Sequence, residues 1–344
     1  MKALVYHGPG RIAYEERAKP RIEAETDAIV RIVKTTLCAT DLRILKGDVS
    51  TCAPGRVLGH EGVGVIDEVG GRVTRFRPGD RVLISSVTAC GECPSCRKQR
   101  YADCAVGGWI LGNTIDGTQA ELVRVPHSST GLHPVPEGVD DDVLVMLSEL
   151  LPTGLECGVV NGGVAPERSV AIVGSGTIGI AALLAAQLER PAALIVVDRD
   201  DFRLNLARQL GATAINSGHD GALDAILAAA RGRGVDTAVD TVGIPATIAL
   251  CEEIVRPGGT IVLAGPHGTP LAFRPEVASD KDVSVVSRPV DTASTAKLLD
   301  LLTSQRLDPR PLISHKLRFG EILHAYDLFG RSATTRALKI ILEV

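Results

Sequence analysis

The chain has 344 residues, 45% of them hydrophobic and 23% charged, with a formal net charge of −4; at roughly 150 residues per domain, that length suggests two domains. No block of Lys or Arg marks a nucleic-acid footprint, no apolar run approaches the roughly 18 residues of a membrane span, and Met1-Lys2-Ala3-Leu4-Val5-Tyr6 is too short for the apolar core of a signal peptide. The expectation is a cytoplasmic chain whose eight cysteines are metal ligands, catalytic groups or small buried hydrophobes, not disulfides.

In chain order, residues 1 to about 125 read as β-rich. Segments 28–33, 64–69 and 81–84 are short and rich in Val and Ile, and Pro54-Gly55, Gly70-Gly71 and Pro78-Gly79-Asp80 punctuate them. That alternation predicts a compact antiparallel barrel. Two groups of ligand-type residues lie in this half. Cys90, Cys93, Cys96 and Cys104 form CxxCxxCx7C, with Gly91 and Pro94 to turn the chain. Four thiolates suit a closed, tetrahedral structural zinc. Cys38, the run Gly59-His60-Glu61, and Glu149 as a third partner offer sulfur, nitrogen and oxygen, a set that suits a zinc with an open position for chemistry. Taken singly, Cys38 could be a buried hydrophobe, His60 a hydrogen-bonded loop residue and Glu149 a solvated helix face. Cys52, Cys157 and Cys251 have no partner pattern and read as structural.

Near Val143 a helical apolar pattern begins and runs through Leu147, Leu150 and Leu151 to a stop at Pro152-Thr153-Gly154. From Ser169 the rhythm becomes strand, turn, helix. Residues 170–173 and 194–197 read as buried strands joined by a crossover helix over 178–188. Phe202, Leu206 and Leu210 mark one face of the next helix, ended by Gly211. Segments 235–239, 260–264 and 283–286 complete the strands, so an α/β doubly wound parallel sheet is expected. The last segment, from about Asp291, is expected to return to the first domain with strands such as 338–342. The division is thus 1–153 with 291–344, and 154–290.

Gly174-Ser175-Gly176-Thr177-Ile178-Gly179 follows a predicted strand and opens a predicted helix. The first Gly makes the turn, the second admits the pyrophosphate, and the third lets helix and strand pack closely. Amides at the helix start, near Thr177 and Ile178, then face the phosphates. Asp198, about 20 residues on, ends the next strand, where a carboxylate binds the adenine ribose hydroxyls. Asp198 favours NAD over NADP, and Asp200 and Asp201 keep the neighbourhood acidic; Arg199 points the other way, since it could receive a 2′-phosphate. Arg203 is grouped with these residues as a cofactor contact.

Gly59-His60-Glu61, with Gly64, Gly70 and Val73 beyond it, fits G-H-E-x2-G-x5-G-x2-V. With the cysteine cluster and the glycine-rich turn, this pattern resembles the zinc-dependent medium-chain dehydrogenase/reductase family, the zinc alcohol dehydrogenases, over essentially the whole chain. The resemblance implies a GroES-like β-barrel catalytic domain plus a doubly wound Rossmann coenzyme domain, two zinc ions per chain, and a homo-oligomer, either dimer or tetramer. It implies that Cys38, His60 and Glu149 ligate the catalytic zinc, that Thr40 relays a proton from the substrate alcohol, and that Asp41 orients the imidazole of His60. Glu61 would lie behind the metal. Thr153 would touch the nicotinamide, with the loops near Val242-Gly243 and Ala264-Gly265 on its other side. Lys339 is similar to a basic residue that contacts the cofactor phosphates. Gly108-Trp109 resembles the substrate-pocket wall of bacterial secondary alcohol dehydrogenases, with core packing as the alternative for Trp109.

One departure stands out. Many members carry a His three residues after the relaying Ser or Thr, and this chain has Arg43 there. A guanidinium cannot act as that base, so the proton is expected to leave Thr40 through the cofactor ribose to water, with Arg43 near the pyrophosphate. The reading is an NAD-dependent oxidoreductase acting on an alcohol, secondary or aromatic given Trp109, Ile110 and Leu111, and on the matching ketone or aldehyde. A polyol, sugar or amino-alcohol dehydrogenase of the threonine type is the competitor within the family. A cofactor-binding protein without turnover is the competitor outside it. Non-zinc quinone reductases share the architecture but have no need of Cys38, His60 and Glu149.

Overall fold

A computed structural model describes residues 1–265 and 273–344. The chain divides into one unit of Met1–Glu149 with Asp291–Val344 and a second of Leu150–Val290. The C-terminal segment therefore belongs with the N-terminal one. The first junction falls at Glu149/Leu150 instead of after Thr153. Pro152-Thr153-Gly154 does not stop the helix: Pro152 lies in the first turn of a helix that begins at Leu150 and continues through Thr153–Val160. In that position a missing N–H costs nothing.

The first unit is built on a seven-stranded sheet. Its order is Ile313–Arg318, Lys339–Glu343, Ala28–Thr36, Gly62–Val69, Arg81–Ile84 and Leu132–Pro134, with Leu122–Val125 also paired to Ala28–Thr36. Apart from the parallel pair Ile313–Arg318 and Lys339–Glu343, the ladders are antiparallel. Alternate residues of the central strands (Ala28, Val30, Ile32, Val82, Ile84, Val123 and Val125) fill one interior together with Ile66 and Leu111, as a period of two requires. A second core joins Leu4, Leu37, Ile44 and Leu58 to Phe319, Ile322, Tyr326, Ile340 and Leu342. The C-terminal segment thus completes the hydrophobic interior of the unit that carries Cys38.

The second unit holds six parallel strands in the order Thr213–Asn216, Ala193–Asp198, Ser169–Val173, Val235–Asp240, Val255–Leu263 and Ser284–Val286. Numbered along the unit this is 3-2-1-4-5-6, the order of a dinucleotide-binding sheet. Thr213–Asn216 escapes notice in the sequence because it is a short, half-exposed edge strand. The helix Asp201–Gln209 turns a different face inward than Phe202, Leu206 and Leu210 suggest: Leu204 and Ala207 are buried while Phe202 is 45% exposed. Gly211 does follow its end with a left-handed φ of 84°. Helix Thr177–Glu189 is apolar on nearly all sides and buries Ile180 through Ala186. It lies so close to helix Leu150–Val160 that a Cβ on Gly154 would stand 2.5 Å from the Ala181 carbonyl carbon. No single helix among the described residues is long and apolar enough to cross a membrane.

Candidate active site

The donor atoms of Cys38, His60, Glu61 and Glu149 all lie within 4.8 Å of one another. Cys38 caps the N-terminus of helix Ala39–Lys46, His60 and Glu61 precede strand Gly62–Val69, and Glu149 follows the short helix Val145–Leu147. Ser148 ties the last two together, since its Oγ accepts from the Gly62 amide at 3.1 Å. Cys38 Sγ is 3.2 Å from Glu149 Oε2, and His60 Nε2 is 3.3 Å from the same oxygen. Ligands at about 2.0–2.3 Å from a tetrahedral zinc stand about 3.4–3.6 Å apart, so the three atoms are nearly in place for one ion.

The electrostatics point the same way. Burial raises the Cys38 thiol pKa, and negative Glu149 raises it further. Burial opposes charge on both His60 and Glu149, yet their mutual attraction prevails: the imidazole pKa goes well above its usual value, and the Glu149 carboxyl is held at about 2. With the Cys38 thiol kept neutral, Glu149 is the anionic donor in this arrangement, and the charges of His60 and Lys339 both favour it. A divalent ion would let Cys38 ionise as well, because it supplies the counter-charge that two buried anions need.

Behind the donors, Asp41 Oδ1 and His60 Nδ1 are 3.9 Å apart, both buried and without a hydrogen-bond partner among the described residues. This is the pairing that holds a ligating imidazole in one tautomer. Glu61, the fourth member of the group, pairs with Lys339, and its carboxyl is raised to about 7 by burial against the opposing pull of that lysine. Lys339 itself corrects the sequence reading. It is 2% exposed, donates to Leu37 O at 3.0 Å and pairs with Glu61, so it is not free to meet a phosphate. Burial disfavours its charge, and Glu61 more than offsets that.

Thr40 stands half-buried in the first turn after Cys38, and Arg43 sits one turn further along the same helix, with Nε buried and unpartnered among the described residues. Trp109 meets the His60 ring edge to face, with centroids 5.9 Å apart and planes at 75°, while also packing on the C-terminal core. Core packing, the alternative for this residue, is present, and the ring also stands beside a candidate metal donor. Leu111 is different: it is fully buried in the barrel interior and cannot line a substrate pocket.

Cys90, Cys93, Cys96 and Cys104 also converge within 4.8 Å. Sulfur separations of 3.4 Å (Cys93–Cys96), 3.6 Å (Cys90–Cys104) and 3.8 Å (Cys90–Cys96) exclude disulfides. They match the roughly 3.8 Å edge of a tetrahedron with zinc–sulfur bonds of about 2.3 Å. Backbone amides lower the Cys93 thiol to about 6, which favours the thiolate that zinc needs. None of the eight cysteines forms a disulfide, and Cys52, Cys157 and Cys251 are buried.

In the second unit, Gly174 turns with φ 101°, and its amide donates to Val197 O at 2.7 Å. A Cβ there would meet Thr241 Oγ1 and Val242 Cγ2 at 2.5 Å, and one on Gly179 would stand 2.0 Å from Gly174 O. Gly176 is different: a Cβ would find only Arg203 Nη1, at 3.6 Å. An open space beside a guanidinium, at the start of helix Thr177–Glu189, suits a pyrophosphate. Val242 and Gly265 follow neighbouring strand ends, and a Cβ on Gly265 would lie 2.5 Å from the Thr241 carbonyl carbon. Asp198 Oδ2 accepts from Ser175 N at 2.6 Å and Ser175 Oγ at 2.7 Å, and its Oδ1 from Arg199 N at 2.7 Å and Asp200 N at 3.0 Å. Burial would raise this carboxyl, but those bonds outweigh it and lower its pKa. Arg199 contributes its amide to Asp198. Thr153 Oγ1 is buried with no partner among the described residues. Ser175, Gln119 and Tyr326 were not singled out in the sequence, where nothing in their spacing distinguishes them.

Residues 24–137 match the model of the alcohol dehydrogenase GroES-like domain, and residues 177–304 match that of the zinc-binding dehydrogenase domain. An alcohol dehydrogenase of Cupriavidus necator is 33% identical over 356 residues, covering 96% of this chain and 95% of that protein. The chain belongs to the zinc-dependent alcohol dehydrogenases of the medium-chain dehydrogenase/reductase family. Among solved structures, zinc-dependent alcohol dehydrogenase 2 from Streptococcus pneumonia is similar with a TM-score of 0.95 and 47% identity, covering 100% of this chain and 98% of that one. Alcohol dehydrogenase TADH from Thermus sp. ATN1 gives 0.92 and 33%, with both chains covered completely. The first model covers Cys38, His60 and the four cysteines within the first unit, and most of the second lies in the unit that carries the glycine-rich turn.

Proposed function

We propose that this dehydrogenase interconverts a small secondary or aromatic alcohol and its ketone or aldehyde, with NAD as the hydride acceptor and two zinc ions per chain. The observation that carries the reading is the convergence of Cys38, His60 and Glu149 in front of an unpartnered Asp41 carboxylate oxygen. Cys38, His60 and Glu149 would hold the zinc, which would supply Lewis acidity toward an alcohol hydroxyl, and a bound nicotinamide would supply the acceptor for a hydride with its two electrons. Cys38 and Glu149 supply two negative charges that balance the ion. Thr40, on the same helix as the Cys38 cap, would accept the hydroxyl proton at its Oγ1 and release its own toward solvent. Arg43 stays charged throughout and takes no proton. Asp41 holds the His60 ring so that Nε2 keeps its lone pair toward the donors.

NAD is favoured over NADP because Asp198 stays ionised beside the glycine-rich turn, where a 2′-phosphate would meet like charge. The flat apolar ring of Trp109 beside His60 favours an apolar substituent on the carbinol carbon over a chain of hydroxyls. A panel of secondary, aromatic, polyol and amino alcohols, assayed with each coenzyme, tests this. The expected result is a higher kcat/KM for secondary or aromatic alcohols and for NAD. Preference for a polyol or amino alcohol would move the substrate assignment to that class.

A further inference from the structure

Behind the metal donors lies a buried polar chain that the reaction itself does not use. Gln119 is fully buried, and its side-chain amide makes three contacts. Nε2 donates to Asp41 Oδ2 at 3.1 Å and to Thr36 O at 3.3 Å, and Oε1 accepts from Tyr326 OH at 2.8 Å. The partners admit only one orientation of the amide. Turned over, its oxygen would face a carboxylate and a carbonyl, neither of which has a hydrogen to donate. Asp41 Oδ2 also accepts from the Cys38 amide at 2.9 Å. One carboxylate oxygen is thus fully engaged, and the other, Oδ1, is left buried and unpaired, aimed at His60 Nδ1.

We infer that Gln119 and Tyr326 are positioning residues for the catalytic metal: Tyr326 fixes the Gln119 amide, Gln119 fixes Asp41, and Asp41 fixes the tautomer and tilt of His60. The inference rests on the zinc reading proposed above. The order of the chain matters. Tyr326, from helix Ile322–Gly330 in the C-terminal segment, touches neither Asp41 nor His60 by hydrogen bond and acts only through Gln119. Partners behind a ligating histidine typically change metal affinity by about 10–100-fold, and a residue one step further back should change it less.

The test is the rate of zinc release to a chromophoric chelator, followed in the full-length protein loaded with zinc. Two phases are expected, one from the Cys38 site and one from the four-cysteine lobe, with the lobe phase reporting that a variant is folded. Gln119→Leu, one step behind Asp41, should accelerate release from the Cys38 site by several-fold, up to about tenfold, and Tyr326→Phe by about twofold. The double variant should release no faster than Gln119→Leu alone, because the hydrogen bond that ties Tyr326 to the chain of partners is the one to Gln119. Loss of packing would give independent, multiplying effects, and that result would overturn the inference, as would unchanged rates in both single variants. Replacing zinc by Co(II) adds a second readout: the visible bands of the Cys38 site should shift in both variants. A wild-type chain that binds zinc only in the lobe would instead remove the zinc reading itself, and this inference with it.

Discussion

Cys38 carries the most chemistry of any single side chain, since it caps the helix that bears Thr40 and also supplies the only sulfur of its site. Cys38→Ser should leave the four-cysteine lobe filled and empty the other site, halving the zinc content measured by atomic absorption. Turnover should fall by roughly three orders of magnitude or more, as expected when a Lewis acid worth several kcal/mol is lost. A variant that keeps both ions and half its activity would contradict the ligand assignment. The proposed preference for NAD rests on Asp198. Asp198→Ala should raise KM for NAD and improve NADP relative to NAD by about 10–100-fold, the removal of one like charge being worth roughly 1–3 kcal/mol. An unchanged ratio would place the discrimination elsewhere. Metal ligands were legible because thiol, imidazole and carboxylate groups in a fixed pattern have few other uses. Lys339 was not: a lysine in a terminal strand looks the same whether it faces a phosphate or Glu61, and only the fold distinguishes the two. Gln119 was invisible for a similar reason, since one amide carries no pattern.

Among the elements, the helix pair Leu150–Val160 and Thr177–Glu189 makes a sharp prediction. Ala is favoured over Gly inside a helix by about 1 kcal/mol, so Gly154→Ala on an open helix would stabilise. Here the added methyl would stand 2.5 Å from the Ala181 backbone, and overpacking typically costs about 1–3 kcal/mol. Thermal denaturation should show a lower Tm; a rise would mean that the helices do not approach this closely. Strand Leu132–Pro134 makes another. Burial, with a smaller contribution from the Arg75 charge, lowers His133 to about 4 from an ordinary 6.5. The unfolded chain therefore takes up this proton first, so the associated stability is complete above pH 6.5 and is lost as the pH falls toward 4. The loss amounts to at most about 3 kcal/mol. His133→Gln should lose less stability than the wild type between pH 7 and pH 5 in urea denaturation; equal losses would show that His133 is not the group responsible. Element types were readable wherever periodicity was strong, as in Ser169–Val173 and Thr177–Glu189. Reading failed where the signal was local and weak. The edge strand Thr213–Asn216 has few apolar residues, and the inward face of Asp201–Gln209 is set by Leu204 and Ala207 against the sheet, not by the larger Phe202.

For the molecule as a whole, the division of labour follows the two units. Among the described residues, Met1–Glu149 with Asp291–Val344 holds both groups of candidate metal donors, and Leu150–Val290 holds the glycine-rich turn with Asp198. The return of the C-terminal segment could be anticipated because its apolar strand needs a core, and Phe319, Tyr326, Ile340 and Leu342 supply it beside Leu37 and Ile44. Its second contribution, Lys339 and Tyr326 behind the metal donors, could not be anticipated, since residues about 300 positions apart meet only through the sheet. The central claim is that turnover needs the ion held by Cys38, His60 and Glu149, and not the one in the cysteine lobe. The most direct measurement is alcohol-dependent NADH formation, with zinc counted in the same samples, through partial chelation and stepwise reloading. Activity should disappear as the first equivalent leaves the Cys38 site and return in proportion as zinc re-enters it, with the lobe filled throughout. Full turnover by protein that retains only the lobe zinc would contradict the account.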